Sequence, residues 1–369
     1  MGGSCYVQTH MKIAALLPHT EIFGGVRRFI EVGNALIRRG HGFTLFTPEG
    51  RNPDWLEFRG EMKAFENIPD EKFDIGVCSE YSLLPHFERL IAQAKFFYFV
   101  LEGHKQERAT AQSGFYYLGS SEGICRRIEQ RYKVKCHRAP GGINPEIFRP
   151  LSKSESSEPP SDEETLSPSF SGKPPLAQAL KILCYGRIYK RRKGVRRVIK
   201  AVEALYRKYP RLRLLFFDSL VGQEKRDPRP LIRTVVPHEF FLNLPQGKMA
   251  WLFSQADIFV SAERRAGWAN TAAEAMACRL PVVCTPSGSR DFAFHNETAL
   301  VVPFAHPLLL RRQISRLIGD SELRARLAEA GYRKIQQFTW DALAARLEAI
   351  FQEIVRGSAQ APIPRSPQN

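Results

Sequence analysis

The chain alternates short apolar runs with amphipathic stretches, and it does so twice, on either side of a segment with almost nothing to bury. Before the break, "KIAALLP" (12–18), "FTLFTP" (43–48), "FDIGVCS" (73–79), "FFYFVL" (96–101), "GFYYLGSS" (114–121) and "KCHRAPGG" (135–142) read as strands. Helices are expected over 26–39, 81–94 and 122–131, and Gly40 stands where a helix C-cap glycine belongs. After the break, strands are expected at 179–186, 211–217, 257–262, 281–286 and 299–303, with helices at 194–208, 271–278 and 340–355. Buried strands joined through helices pair in parallel, with helices covering both faces of the sheet. The fold class expected is α/β, with two Rossmann-like doubly wound domains facing each other across a cleft, where ligands of such sheets bind.

The break itself, "LSKSESSEPPSDEETLSPSFSGKPPLAQ" (151–178), is rich in Ser, Pro and acids and reads as a disordered linker. It separates an expected N-terminal domain (11–150) from an expected C-terminal domain (179–338), which a closing helix (339–356) and a disordered tail (357–369) follow. "MKIAALLP" from Met11 resembles a natural start, so residues 1–10 are expected to be an extension. A length of 369 residues suits two domains, and 43% hydrophobic with 25% charged residues describes a globular chain. No apolar run approaches the roughly 18–20 residues that cross a bilayer. Seven cysteines without a C-x-x-C pair suit packed, reduced thiols in a cytoplasmic protein rather than a disulfide frame or a zinc site.

The net charge of +16 is uneven. Residues 1–150 carry 20 basic and 17 acidic side chains, whereas residues 181–213 alone carry 13 basic residues and one acid. A phosphorylated ligand, an anionic lipid surface or nucleic acid each fits such an excess, and so does a solvated helix face. No nucleic-acid recognition module accompanies it, so nucleic acid is not an expected partner.

Three places carry candidate chemistry. Gly24 and Gly25 in "IFGGVRR" lie between the first strand and first helix, where glycines let backbone amides approach an anion or simply make a tight turn. The G-x-G-x-x-G of a dinucleotide fingerprint is absent. "GRIYKRRKG" (186–194) repeats that position in the second half. Gly186 ends a strand, and Arg187 and Lys193 can clamp a diphosphate, the first as a fork and the second as a point charge. Within "AERRAGWANTAAEAMACRLPVV" (262–283), Glu274 stands alone among alanines. Thr271-x-x-Glu274 fits a helix capping box, and Glu274 equally fits a carboxylate accepting from the two vicinal hydroxyls of a ribose. Residues Gly267, Trp268, Ala269 and Asn270 would offer amides at the positive end of that helix.

The order of these features resembles the group 1 family of retaining glycosyltransferases with the GT-B fold. The features are the Gly-Gly loop, "APGGINPEIFRP" (139–150), "GRIYKRRKG", the segment 256–292 and "FTWDALAARLEAIF" (338–351). The resemblance implies a nucleotide-diphosphate sugar donor, a glycan or glycolipid acceptor such as a lipopolysaccharide precursor, and retention of anomeric configuration. It implies that Arg187 and Lys193 bind the donor diphosphate, that Glu274 is the second Glu of an E-x7-E motif and holds the ribose, and that Gly267–Asn270 contact sugar and phosphates. It also makes Glu102 and His104 candidates for a group facing the sugar, and Asp291 a further acid near it. No metal or cofactor is implied, and no D-x-D pair is found. Ala266 replaces the family's first Glu, and Glu263, three residues earlier, reaches the site only if the "RRA" loop bends. That departure raises a second reading, a catalytically weakened nucleotide-sugar-binding partner subunit. The basic excess implies docking on the inner face of an anionic membrane without spanning it.

Overall fold

The computed structural model describes residues 10–157, 179–220 and 226–360. Residues 1–9, the part of the expected linker from 158 to 178, and the expected tail beyond 360 lie outside them. Two compact units form. One takes the described residues up to Ser120, Ile124–Ala139 and the stretch from Trp340; the other takes Ser121–Gly123 and Pro140–Thr339.

The first unit is built on seven strands, β1 (Lys12–Leu16), β2 (Gly42–Thr47), β3 (Glu61–Ala64), β4 (Lys72–Cys78), β5 (Ile91–Phe99), β6 (Tyr116–Gly119) and β7 (Cys136–Arg138). All pair in parallel, in the order β3-β2-β1-β4-β5-β6-β7. The second holds β8 (Leu180–Tyr185), β9 (Leu212–Asp218), β10 (His238–Leu242), β11 (Ile258–Ser261), β12 (Val282–Cys284) and β13 (Leu300–Val301). These are parallel in the order β10-β9-β8-β11-β12-β13. Both are the doubly wound α/β sheets that the alternation predicts, because strands such as β9, buried at every position, need cover on both faces. In the second unit that cover is the helix pair Val195–Tyr206 and Pro307–Gly319 on one core, and the pair Asn270–Ala277 and Ser321–Ile335 on the other. The strand order reverses between β1 and β4 in one sheet and between β8 and β11 in the other, and loops at such a reversal are where these sheets take ligands.

Several elements depart from the sequence expectation. The helix expected over 81–94 is Leu84–Arg89, and β5 begins at Ile91. Leu90 turns to extended backbone, and from there burial deepens along the strand to Phe96–Phe99. Strands β3 and β10, and helices Met249–Ser254, Pro307–Gly319 and Ser321–Ile335, were not expected. Within the expected linker, Lys153–Ser157 is helical. Ser152 explains it: its hydroxyl accepts from the Glu155 amide, while Glu155 accepts from the Ser152 amide at 2.9 Å, a reciprocal capping box. Arg149 pairs with Glu155 at 2.6 Å. His10, assigned to an extension outside the fold, bonds the Gly40 carbonyl through Nδ1 at 2.6 Å. Gly40 has φ +86°, the left-handed conformation a helix-ending glycine supplies.

The chain passes between units at Ala139–Pro140. The stretch 140–150, read with the first domain from sequence, packs in the second unit, where Ile143 donates to the Phe338 carbonyl at 2.8 Å and Phe148 joins the core. The closing helix runs Trp340–Gln360, beyond the expected end at 356, and packs on Gly24–Arg38 in the first unit. Arg39 and His41 both meet Glu348 there.

Candidate active site

Strand β8 supplies the basic residues. Gly186 follows it, and a Cβ at that position would lie 2.5 Å from the Phe240 ring, so close packing accounts for this glycine. The loop then makes a single tight turn, Arg191–Lys193, and ends at Gly194 with φ +71°. Gly194 is required on two counts, because its backbone is left-handed and a Cβ there would stand 2.2 Å from the Ala262 carbonyl oxygen. That close approach docks the β8 loop onto the loop that follows β11. Arg264 N–H donates to the Arg192 carbonyl at 2.8 Å, tying the two loops together.

The two basic side chains converge on one ring. Arg187 Cζ lies 5.3 Å and Lys193 Nζ 4.9 Å from the centre of Tyr185, both within cation–π range. Burial, and then the nearby Asp218 charge, push the Tyr185 phenol well above its ordinary value, so the ring stays neutral. The Arg187 fork, expected to meet a diphosphate, is engaged within the protein. Its Nη2 and Nε grip Asp218 Oδ1 at 2.7 and 3.0 Å, and Nη2 also donates to the Ser219 carbonyl at 3.0 Å. Lys193 Nζ is paired with Glu263 Oε1. Each base leaving the central strand β8 is thus met by an acid at the end of a flanking strand, Asp218 on β9 and Glu263 just past β11. Asp218 was missed in the sequence reading, and Glu263 entered it only as an acid that needed a loop bend to reach the site. The signal lay in "LLFFD" and "FVSAE", where a lone acid ends a buried apolar run.

The loop from Glu263 to Ala269 is held rather than loose. Arg265 takes φ +61°, the bend that brings Glu263 inward although Ala266 occupies the expected position. The Thr285 hydroxyl donates to the Glu263 carbonyl at 2.5 Å, and Ala266 N–H donates to Ser287 Oγ at 2.8 Å. Ala269 N–H donates to the Gly288 carbonyl at 2.9 Å, so that amide is engaged within the protein. Gly267, Trp268 and Ala269 are buried, and Trp268 packs over Gly141, where a Cβ would come within 2.5 Å of the indole.

The helix carrying Glu274 begins at Asn270, with Ala269 at its N-cap and no side-chain cap. Thr271 therefore sits inside the first turn, and the capping box expected from Thr271 and Glu274 does not form. Glu274 is buried, 5% exposed, on a helix face of alanines. Asp291 is buried as well.

The other candidates belong to the first unit. Gly24 opens the helix Gly24–Arg38, whose N-cap Phe23 makes no side-chain bond, and Gly25 has open space around it. Glu102 and His104 follow β5. The exposed His104 ring stacks on Tyr81, with centres 4.0 Å apart. The loop is pinned by a residue not anticipated from sequence. Glu107 is 1% exposed and accepts from Arg127 at 2.6 Å, Tyr132 at 2.8 Å and the Gly103 amide at 2.8 Å. Burial alone would raise its carboxyl, but these donors outweigh it and hold the group below the ordinary glutamate value.

Among the described residues, no helix is long and apolar enough to cross a membrane.

Known proteins resemble this chain in both sequence and fold. Residues 170–334 match the family model described as Glycosyl transferases group 1. The capsular polysaccharide biosynthesis glycosyltransferase CapM of Staphylococcus aureus is 25% identical over 175 residues, 46% of this chain and 46% of that protein. The chain matches less than half the length of such curated relatives. Among solved structures, sucrose-phosphate synthase from Thermosynechococcus elongatus superposes with a TM-score of 0.74 at 18% identity, covering 94% of this chain and all of that one. HepE of Anabaena, crystallised with UDP-glucose, gives 0.71 at 13% identity, covering 93% and 100%. Through residues 170–334 the chain is similar to the group 1 glycosyltransferases, and its two sheets have the GT-B fold of the solved structures it resembles.

Proposed function

We propose that this protein transfers a sugar from a nucleotide-diphosphate sugar to a hydroxyl of a glycan or glycolipid, with retention of configuration and without a metal. The observation that carries the reading is the convergence of Arg187 and Lys193 on Tyr185 at the carboxyl end of β8, beside the point where the strand order reverses. Departure of a nucleoside diphosphate builds negative charge on its phosphates, and fixed cations at that place stabilise it as it grows. In this reading Glu274 holds the ribose hydroxyls and the 267–270 loop contacts the sugar. The acceptor, taken by the first unit, attacks from the face the diphosphate leaves, and its proton passes to a donor phosphate oxygen. Glu102 and His104 are proposed to face the sugar. That HepE was crystallised with UDP-glucose supports a nucleotide-sugar donor for a chain of this fold.

A panel of nucleoside diphosphates and their sugars, followed by thermal unfolding, tests the binding half of the proposal. The matching nucleotide raises the melting temperature in proportion to the logarithm of its concentration, and Glu274→Ala and Lys193→Ala each remove the rise. A panel that moves nothing sinks the reading.

A second reading, a nucleotide-sugar binder without turnover, is favoured by Ala266 in place of the family's first Glu and by the carboxylates already seated on both cations.

A further inference from the structure

The two cations differ in how firmly the protein holds them. Asp218 is fully enclosed and takes two guanidinium donors together with the Ser219 amide at 2.8 Å. Glu263 and Lys193 keep 6% and 15% of their side chains exposed. The Glu263 main chain is pinned by Thr285 at its carbonyl and, just beyond, by the Arg192 carbonyl and Ser287 at the Arg264 and Ala266 amides, so its carboxylate can leave Lys193 by side-chain rotation without moving the loop.

From this geometry we infer that Glu263 is an affinity- and specificity-determining residue, whose carboxylate occupies the place on Lys193 that a ligand phosphate must take. The inference rests on the reading that Lys193 receives the donor diphosphate. A phosphate arriving while Glu263 stays in place meets a like charge within a few ångströms, in a partly desolvated setting where repulsion is strong. Exchanging one anion for the other keeps the ammonium paired throughout, which avoids the cost of a buried uncompensated charge. A diphosphate, with several charged oxygens, competes for this ammonium, whereas a neutral nucleoside has nothing to offer it. Glu263 therefore lowers affinity for all anions and leaves uncharged parts of the ligand unaffected.

Titration of the full chain with UDP, GDP and uridine, at fixed pH and ionic strength, tests this in wild type, Glu263→Gln and Glu263→Ala, with near-UV circular dichroism confirming the fold. Removing the competing charge tightens binding of the diphosphate that the wild type prefers by about ten-fold, the scale of one charge-assisted hydrogen bond. Uridine binding changes less than two-fold. Lys193→Met alone weakens diphosphate binding and leaves uridine binding within two-fold. Equal or weaker diphosphate binding by both Glu263 variants overturns the inference and leaves the nucleotide-sugar reading standing. Absence of binding by wild type and variants alike, for UDP and GDP and equally for ADP, CDP and dTDP, overturns both.

Discussion

Arg187→Met is expected to cost the second unit about 3–5 kcal/mol, the penalty for leaving a buried carboxylate without its partner. Asp218 has no side-chain exposure and takes both forks of Arg187, so no water replaces the lost donors. For a domain of this size, that loss corresponds to a fall of roughly 6–20 °C in melting temperature. The double variant Arg187→Met/Asp218→Asn should recover a large part of the loss, because it removes the orphaned charge. A single variant that unfolds within 2 °C of wild type, with an estimated change under about 1 kcal/mol, would show that the pair is not closed as described. Transfer activity, however, is not expected to return in the double variant, since the cation proposed to meet the leaving diphosphate is still missing.

The second large effect falls on a residue without a side chain. Gly194→Ala places a β-carbon 2.2 Å from the Ala262 carbonyl in a backbone conformation of φ +71°. The left-handed conformation costs an ordinary residue about 1 kcal/mol, and forcing the two loops apart about 1–3 more. A destabilisation of about 2–4 kcal/mol in urea unfolding is the expected result. Because Gly194 adjoins Lys193, the same substitution should weaken nucleotide binding. Gly25→Ala is the matched control, since nothing stands within 4 Å of a β-carbon there and the site lies in a helix. Its stability should stay level or rise slightly. Equal effects at the two glycines would contradict the docking of the β8 loop on the β11 loop.

These two residues mark what the amino-acid order disclosed and what it withheld. Arg187, Lys193 and Gly194 stand in one short stretch, "GRIYKRRKG", and the apolar strand before it shows where they leave the sheet. Their partners are 31 and 70 residues away, at Asp218 and Glu263, and are brought near only because β9 and β11 flank β8. Sheet order is a tertiary fact, so local pattern could not pair those charges. The bend in the "RRA" loop could be named as a condition but not located, because a positive φ at an arginine has no composition cue. The alternation of strands and helices was legible where strands carry an unbroken apolar run, as at Phe96–Phe99 in β5 and Leu214–Phe217 in β9. Short or half-exposed elements were not, as with β3, whose "EMKA" is exposed or half-buried throughout. At Thr271 a valid local motif was outcompeted: the helix starts one residue early, and the residues around it are committed to the 285–289 loop. The same motif at Ser152–Glu155 did form, in a stretch whose composition argued against any structure.

Release of nucleoside diphosphate from a panel of nucleotide sugars, with and without glycan and glycolipid acceptors, bears most directly on the claim of sugar transfer. The account predicts release with one donor that rises when an acceptor is supplied, a product of unchanged anomeric configuration, and loss of at least about a hundred-fold in Lys193→Ala, the scale of removing one transition-state charge contact. Tight nucleotide-sugar binding with no release from any donor would contradict it.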